Sequence, residues 1–111
     1  MSEGPQILAF GNIKATFLLT IALTPVATAS ATTAEQLFTV PGLQLGDQIS
    51  GITFLGAFSS LVDMVNYRVS ANNQLAIAFS NNTAGSLTYP AGNFYVEVNR
   101  PYPGLPMSSI Q

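Results

Sequence analysis

The segment from Lys14 to Thr24 places an apolar residue at every second position. One set is Ala15, Phe17, Leu19, Ile21 and Leu23, and the intervening set is Thr16, Leu18, Thr20, Ala22 and Thr24. Such alternation puts successive side chains on opposite faces of a β-strand, whereas a helix would repeat about every 3.6 residues. Pro25 lacks the backbone donor that a sheet requires, so it ends the strand. The sequence therefore predicts one long strand, about 36 Å in length, with one face in a core.

The same alternation recurs along the rest of the chain and predicts further strands. These are 35–40, 48–54, 64–70, 74–80 and 93–100, with inward sets Gln36, Phe38 and Val40; Val65, Tyr67 and Val69; Leu75, Ile77 and Phe79; and Phe94, Val96 and Val98. Pro41-Gly42 suits a type II turn, Gly51 predicts a bulge, and Ala71-Asn72-Asn73 predicts a hairpin. We expect a small, polar connection with nothing to bury at 27–34, a reversal of direction at 43–47 and a longer loop at 81–92. Residues 55–63 are expected to form a loop or a single helical turn.

These features predict an all-β, single-domain antiparallel β-sandwich, or a jelly-roll-like arrangement, with extended N- and C-terminal arms. We assign residues 1–11 to an N-terminal arm, 12–100 to the β-sandwich domain and 101–111 to a proline-rich C-terminal tail. The tail cannot join the interior of a sheet because it is rich in proline. It still offers four large apolar side chains, and these are Tyr102, Leu105, Met107 and Ile110. The tail either docks on a partner through them or frays, as chain ends commonly do.

Charge is scarce in this chain. Three basic and five acidic residues make up 7% of the 111 residues, whereas ordinary soluble domains carry roughly a quarter. Either uncharged polar side chains keep such a surface soluble, or another protein covers much of it, and we favour the second. Three cations neutralise few phosphates, so we expect neither nucleic acid nor a membrane surface as a partner.

The chain contains neither cysteine nor histidine. Disulfides, thiolate ligands, the commonest general base and the commonest transition-metal ligand are therefore excluded. We predict that the protein is not an enzyme, with no catalytic residue, cofactor, metal site or small-molecule substrate. Carboxylate pairs remain, namely Asp47 with Asp63 or with Glu97. Asp47 follows a turn glycine and is expected to accept backbone hydrogen bonds there, and Glu97 is expected on a solvated strand face.

The first thirty residues leave one alternative open. Lys14 precedes an apolar run that is followed by Ala27-Thr28-Ala29. This segment resembles a signal peptide with its cleavage site. Glu3 and Pro5 before Lys14, together with the regular threonines, argue against that interpretation. The apolar run is about twelve residues, and a membrane-spanning helix needs about twenty. An exported bacterial β-domain stays as an alternative, and a transmembrane helix is not expected.

The aromatic residues allow another alternative. Tyr67, Tyr89, Tyr95 and Tyr102 could together stack against a sugar. With the asparagine-rich loop 81–92, they leave open a tail or fibre component that binds a receptor sugar, although tyrosines on strands are more often residues at the edge of the core. Asn81-Asn82-Thr83 also matches a glycosylation sequon. Tyr95 lies opposite the apolar set of its strand, so it is the best candidate for an exposed contact.

Two longer runs resemble a known family. They are TAEQLFTVPGLQLGD at 33–47 and RVSANNQLAIAFSNNTAG at 68–85. Both are similar to small virion proteins of tailed bacteriophages, the capsid decoration or cement proteins with β-sandwich folds. The similar stretch extends from about Leu23 to Arg100. Residues 53–63 depart from the family pattern, which has a proline-rich segment between its third and fourth strands.

The resemblance implies a head-stabilising protein on the capsid exterior. Its partner would be the major capsid protein, whose neighbouring subunits it would clamp on the outer surface of an icosahedral head. Self-association as a dimer or trimer would suit symmetric sites on such a lattice. Candidate partner contacts are Tyr95, Tyr102, Leu105, Met107 and Ile110.

Overall fold

The computed structural model describes residues 13–57 and 61–101, and this part of the chain is all-β. Its strands are β1 (Ile13–Leu23), β2 (Ala27–Thr28), β3 (Thr32–Thr39), β4 (Gln48–Phe54), β5 (Val62–Ala71), β6 (Gln74–Asn81), β7 (Leu87–Thr88) and β8 (Gly92–Pro101). Antiparallel pairing organises them into two three-stranded sheets and a two-stranded ribbon. The predicted all-β class with antiparallel pairing is confirmed, and so is the long first strand.

The first sheet, called sheet I, has the strand order β1-β8-β4. On its central strand, Phe94, Val96 and Val98 are buried while Tyr95 and Glu97 are exposed, as the alternation predicts. The register between β4 and β8 shifts between Ile49 and Gly51, which confirms the predicted bulge. The extra residue keeps inward-facing positions inward on both sides of the glycine.

The second sheet, called sheet II, has the order β3-β6-β5. Strands β5 and β6 form the predicted hairpin, with Asn73 at a φ of 62° in the turn. The predicted inward set of β5 was wrong at Val65. A register shift between Met64 and Asn66 makes Val65 the extra residue of a bulge, and its side chain is exposed. Met64 packs against the core in its place.

Side chains from both sheets meet in one hydrophobic core. Tyr89, in the segment before β8, contacts Phe79 of sheet II and Phe54 and Phe94 of sheet I, with ring centroids 5.4, 5.7 and 6.0 Å away. Burying one such side chain contributes about 1.5–3 kcal/mol. The aromatic cluster therefore fixes one sheet against the other.

Two turns place the loop between β3 and β4. Leu43 N–H donates to the carbonyl of Val40, and Gly42 has a φ of 99°, in agreement with the predicted type II turn. A second turn follows, where Asp47 N–H donates to the carbonyl of Gln44 and Gly46 has a φ of 100°. The direction reversal predicted for 43–47 is thus confirmed.

The segment 27–34 was expected to be a connection with nothing to bury, and this was wrong. Residues 27–28 form β2, which pairs with β7 at residues 87–88, and Thr28 is buried. Strand β3 already begins at Thr32. Threonine has a high preference for strands, and each of the two short segments contains one. Residues 27–28 become a strand because residues 87–88 provide a pairing partner.

Other predicted segments are only partly described. Residues 55–57 contain no helical turn, residues 58–60 lie outside the description, and β5 takes up 62–63. The arm at 1–11, Asn12 and tail residues 102–111 also lie outside it. Strand β8 includes Pro101 as its last residue, paired with Ile13.

Candidate interaction surface

The outward side of sheet I is a surface with few charges. Across it, Thr20, Tyr95 and Thr53 lie side by side on β1, β8 and β4. The next row holds Leu18 beside Glu97. Leu18 and Tyr95 are 55% and 40% exposed. We call these five residues the Tyr95 face.

The chemistry of the Tyr95 face suits contact with another protein. Aromatic residues are enriched and charged residues depleted at the centre of protein interfaces. Threonine hydroxyls and the tyrosine phenol donate and accept hydrogen bonds without the desolvation cost of a charge. Glu97, the carboxylate of this face, is exposed as predicted.

The outward side of sheet II carries an ion pair between two exposed residues. Arg68 Nε and Nη2 donate to the two carboxylate oxygens of Glu35 at 2.8 and 2.9 Å. The hydrogen bond from Arg68 lowers the pKa of Glu35; desolvation opposes this effect, and the charge of Arg68 adds to it. Leu37 and Val65 are also exposed on these strands. Apolar side chains therefore reach solvent on both sheets.

A second ion pair lies where β8 ends. Arg100 Nε and Nη2 donate to the carboxylate of Asp47 at 2.9 and 2.7 Å, and Nη2 also donates to the carbonyl of Gly42 at 2.7 Å. The guanidinium lies over the ring of Phe17, 5.0 Å from its centroid. This cluster, called the Arg100 latch, ties β1, β8 and the 42–47 turns together.

The electrostatics of the latch favour the ionised carboxylate. Burial of Asp47 opposes ionisation, but the hydrogen bonds from Arg100 and from the Gln44 N–H outweigh it, so the pKa is lowered. The bond from Gln44 confirms that Asp47 accepts from a turn amide. Its charge partner is Arg100, so Asp47 is held in an ion pair rather than in either carboxylate pair that the sequence left open, with Asp63 or with Glu97. Among residues 13–57 and 61–101, no group of three or more acidic side chains could hold a metal ion.

The glycosylation sequon does not provide an accessible site in the folded chain. Asn81 is fully buried, and its amide donates to the carbonyls of Thr28 and Gly85 at 2.8 and 2.9 Å. Its Oδ1 accepts from the backbone N–H and the hydroxyl of Thr83 at 2.9 and 2.7 Å. The triplet is therefore a structural element that joins the ribbon to the loop after β6.

The three tyrosines in the described part of the chain do not form a common platform. Tyr89 is buried in the core, Tyr67 is half-buried on β5 of sheet II, and Tyr95 faces outward from sheet I. A shared stacking surface for a sugar would need parallel access from one side. The three described tyrosines therefore do not support sugar binding, and Tyr102 lies outside the described residues.

Of the predicted contact residues, Tyr95 is exposed at the centre of sheet I, as expected. Tyr102, Leu105, Met107 and Ile110 lie outside the described residues.

The described residues contain no helix long and apolar enough to cross a bilayer. Sequence reasoning missed the Arg100 latch, because it depends on which strands and turns become neighbours.

Comparison with protein-family models, with curated proteins and with solved structures found no match to this chain.

Proposed function

We propose that the chain is a decoration, or cement, protein that binds the outer surface of an icosahedral bacteriophage head and stabilises contacts between major capsid subunits. In this role it is structural rather than catalytic and needs no cofactor. The observation that carries the proposal is a surface with exposed apolar side chains on both sheets and few charges. Such a surface favours a protein that works while bound to another protein.

The fold we propose for this role is a β-sandwich with shortened jelly-roll wrapping. Both sheets contribute to one core, which supports face-to-face packing. The orders β1-β8-β4 and β3-β6-β5 support the wrapping, because successive strands alternate between sheets from β1 through β3 and β4 to β5. A full jelly roll has eight strands in two sheets, and here each sheet would have one strand fewer.

The proposed mechanism is binding linkage. A ligand that binds the assembled lattice, and does not bind free subunits, stabilises the lattice by its binding free energy. The protein needs no chemical step for this, only a contact that spans two neighbouring subunits. The Tyr95 face would supply a flat contact, and residues Tyr102, Leu105, Met107 and Ile110 would reach a second subunit.

The Arg100 latch would support that reach. It fixes the end of β8 against two turns and β1, so the chain after Pro101 starts from a rigid position. A rigid origin lowers the entropy cost of docking the following segment.

Purified virions test the proposal. We expect the protein in many copies per intact particle, and we expect particles without it to lose their contents at a lower temperature. Tyr95→Ala should reduce occupancy on the particle, whereas Asn82→Ala, an exposed loop change away from the Tyr95 face, should not. Absence from intact particles, or an unchanged thermal transition after its removal, would refute the proposal. A few copies per particle, located at the tail, would favour a tail component instead.

A further inference from the structure

Strand β1 forms an edge of sheet I, with β8 as its hydrogen-bonded neighbour on the other side. It is the longest strand, with 11 residues. Between Ala15 and Leu23 it contains no charge and no proline. Its register with β8 is also unbroken over these residues. Natural proteins usually protect edge strands with charges, prolines or bulges, because an open edge pairs with other chains.

The other three edge strands of sheets I and II carry such protection. Strand β4 has the bulge before Gly51, and β5 has the bulge at Val65 together with charged residues. On β3, the side-chain amide of Gln36 makes two hydrogen bonds with the backbone of Val26, at 2.9 and 2.8 Å. That contact holds a loop against the β3 edge. Among residues 13–57 and 61–101, no charge, proline, bulge or loop contact protects the edge of β1 between Ala15 and Leu23.

The core is also open along β1. Phe17, Leu19 and Ile21 point inward but remain partly exposed, whereas the inward side chains of β8 are fully buried. A strand added beside β1 would cover these three residues. It would also pair the outward-pointing backbone groups of β1.

We propose that β1 pairs antiparallel with β1 of a second copy of this chain, around a two-fold axis at Leu18. This inference rests on the self-association that the resemblance to capsid decoration proteins implies, and it names the interface. The pairing would join two copies of sheet I into one continuous six-stranded sheet, β4-β8-β1-β1-β8-β4. A two-fold interface uses the same surface on both copies, so the strand must be complementary to itself.

The sequence of β1 meets that requirement. Centred on Leu18, Thr16 lies opposite Thr20 of the second copy, and Phe17 lies opposite Leu19 of the second copy. Threonine pairs and apolar pairs stabilise neighbouring strands. The two Lys14 residues lie opposite Ala22 of the other copy, about 26 Å apart, so like charges do not meet. This register pairs all 11 residues of the strand.

The interface is rich in hydrogen bonds and small in area. Eleven antiparallel pairs form about ten backbone hydrogen bonds, as many as a standard interface of larger size. The edge measures about 36 by 10 Å, so the dimer buries roughly 700 Å² in total, below the standard size. The dimer is therefore weak in dilute solution and strengthened where a common surface holds two copies side by side.

Single-cysteine variants test the register, because the chain contains no cysteine of its own. Leu18→Cys brings two thiols together at the axis, so mild oxidation should give a covalent dimer. Leu37→Cys is the matched control, since Leu37 is 57% exposed on β3 and Leu18 is 55% exposed on β1. We expect the control to remain monomeric under the same conditions.

A charge variant tests the interface without oxidation. Leu18→Lys places two ammonium groups against each other at the axis, and it should shift the sedimentation of concentrated protein to the monomer. Leu37→Lys should leave the sedimentation of the parent unchanged. Both positions point to solvent in the monomer, and circular dichroism checks that both variants stay folded.

The outcomes separate the interface from the proposed function. Cross-linking at Leu18 but not at Leu37, with dissociation by Leu18→Lys, supports the β1 interface. Association that Leu18→Lys leaves intact overturns this interface while self-association stands. A parent chain that is monomeric at every concentration, with no cross-link at Leu18, overturns both the interface and self-association. Occupancy of purified virions decides the capsid role separately from all three.

Discussion

Replacing Asp47 by asparagine removes one charge from the Arg100 latch and keeps the shape of the side chain. The side chains of Asp47 and Arg100 are only 2% and 20% exposed. The substitution would therefore leave the charge of Arg100 largely buried without its counter-ion. The two charge-assisted hydrogen bonds, at 2.9 and 2.7 Å, would also weaken. Removing one partner of a buried ion pair costs about 3–5 kcal/mol.

We expect the lower end of that range, about 3 kcal/mol, because Arg100 keeps some solvent and still donates to the carbonyl of Gly42. For a domain of this size the change corresponds to a fall in the melting temperature of roughly 10–15 °C. Urea denaturation at pH 7, followed by circular dichroism, gives the free energy of unfolding. Calorimetry gives the melting temperature independently.

Glu35→Gln is the matched control. Its partner Arg68 binds it with the same bidentate geometry, at 2.8 and 2.9 Å, but both residues are exposed. Exposed ion pairs contribute little because solvent screens them. We expect the melting temperature of this variant to match the parent. Equal effects of the two substitutions, or no measurable effect of Asp47→Asn, would refute the argument that burial gives the latch its strength.

Three further predictions follow from Asp47, from the buried Asn81 and from the core residue Phe79. The pKa of Asp47 is lowered in the folded chain, so its stabilising contribution is complete above its ordinary pKa of 3.8 and declines as the pH falls through the lower, folded pKa. Unfolding free energy measured from pH 6 to pH 2 should therefore fall more steeply for the parent than for Asp47→Asn, and parallel curves would contradict this. Asn81→Ala removes four hydrogen bonds, including those to the carbonyls of Thr28 and Gly85 and the one from the partly buried Thr83 N–H, and should cost about 2–4 kcal/mol in urea denaturation. Asn82→Ala, one residue away and exposed, should be neutral, and an equal loss in both would count against the buried network. Phe79→Ala empties the centre of the core and should cost about 3–5 kcal/mol, whereas Leu37→Ala on the solvent side should change little; a calorimetric scan in which the two shift alike would show that the core is assigned incorrectly.

Periodicity predicted most of the strands because it reports which face of a strand is buried. The inward sets of β6 and β8 are as expected, since both strands are central and face one core. The Val65 bulge could not be predicted, because Val65, Tyr67 and Val69 satisfy simple alternation equally well. An extra residue in a strand becomes visible only once its partner strand is known.

The candidate site was less predictable for a similar reason. Asp47 and Arg100 are 53 residues apart in sequence, and only the approach of β8 to the 42–47 turns brings them together. Asn81 matches a modification motif, yet its amide satisfies four bonds inside the fold. Exposure of Tyr95 followed directly from alternation, because an outward position on a central strand has no further layer above it.

A cryo-EM map of the intact bacteriophage particle tests the capsid role most directly. We expect density for this all-β fold on the outside of the head, across the joints between major capsid subunits. We also expect the Tyr95 face, or the segment after Pro101, to contact those subunits. Density for the protein at the tail alone, or none on the outer surface of the head, would contradict the account.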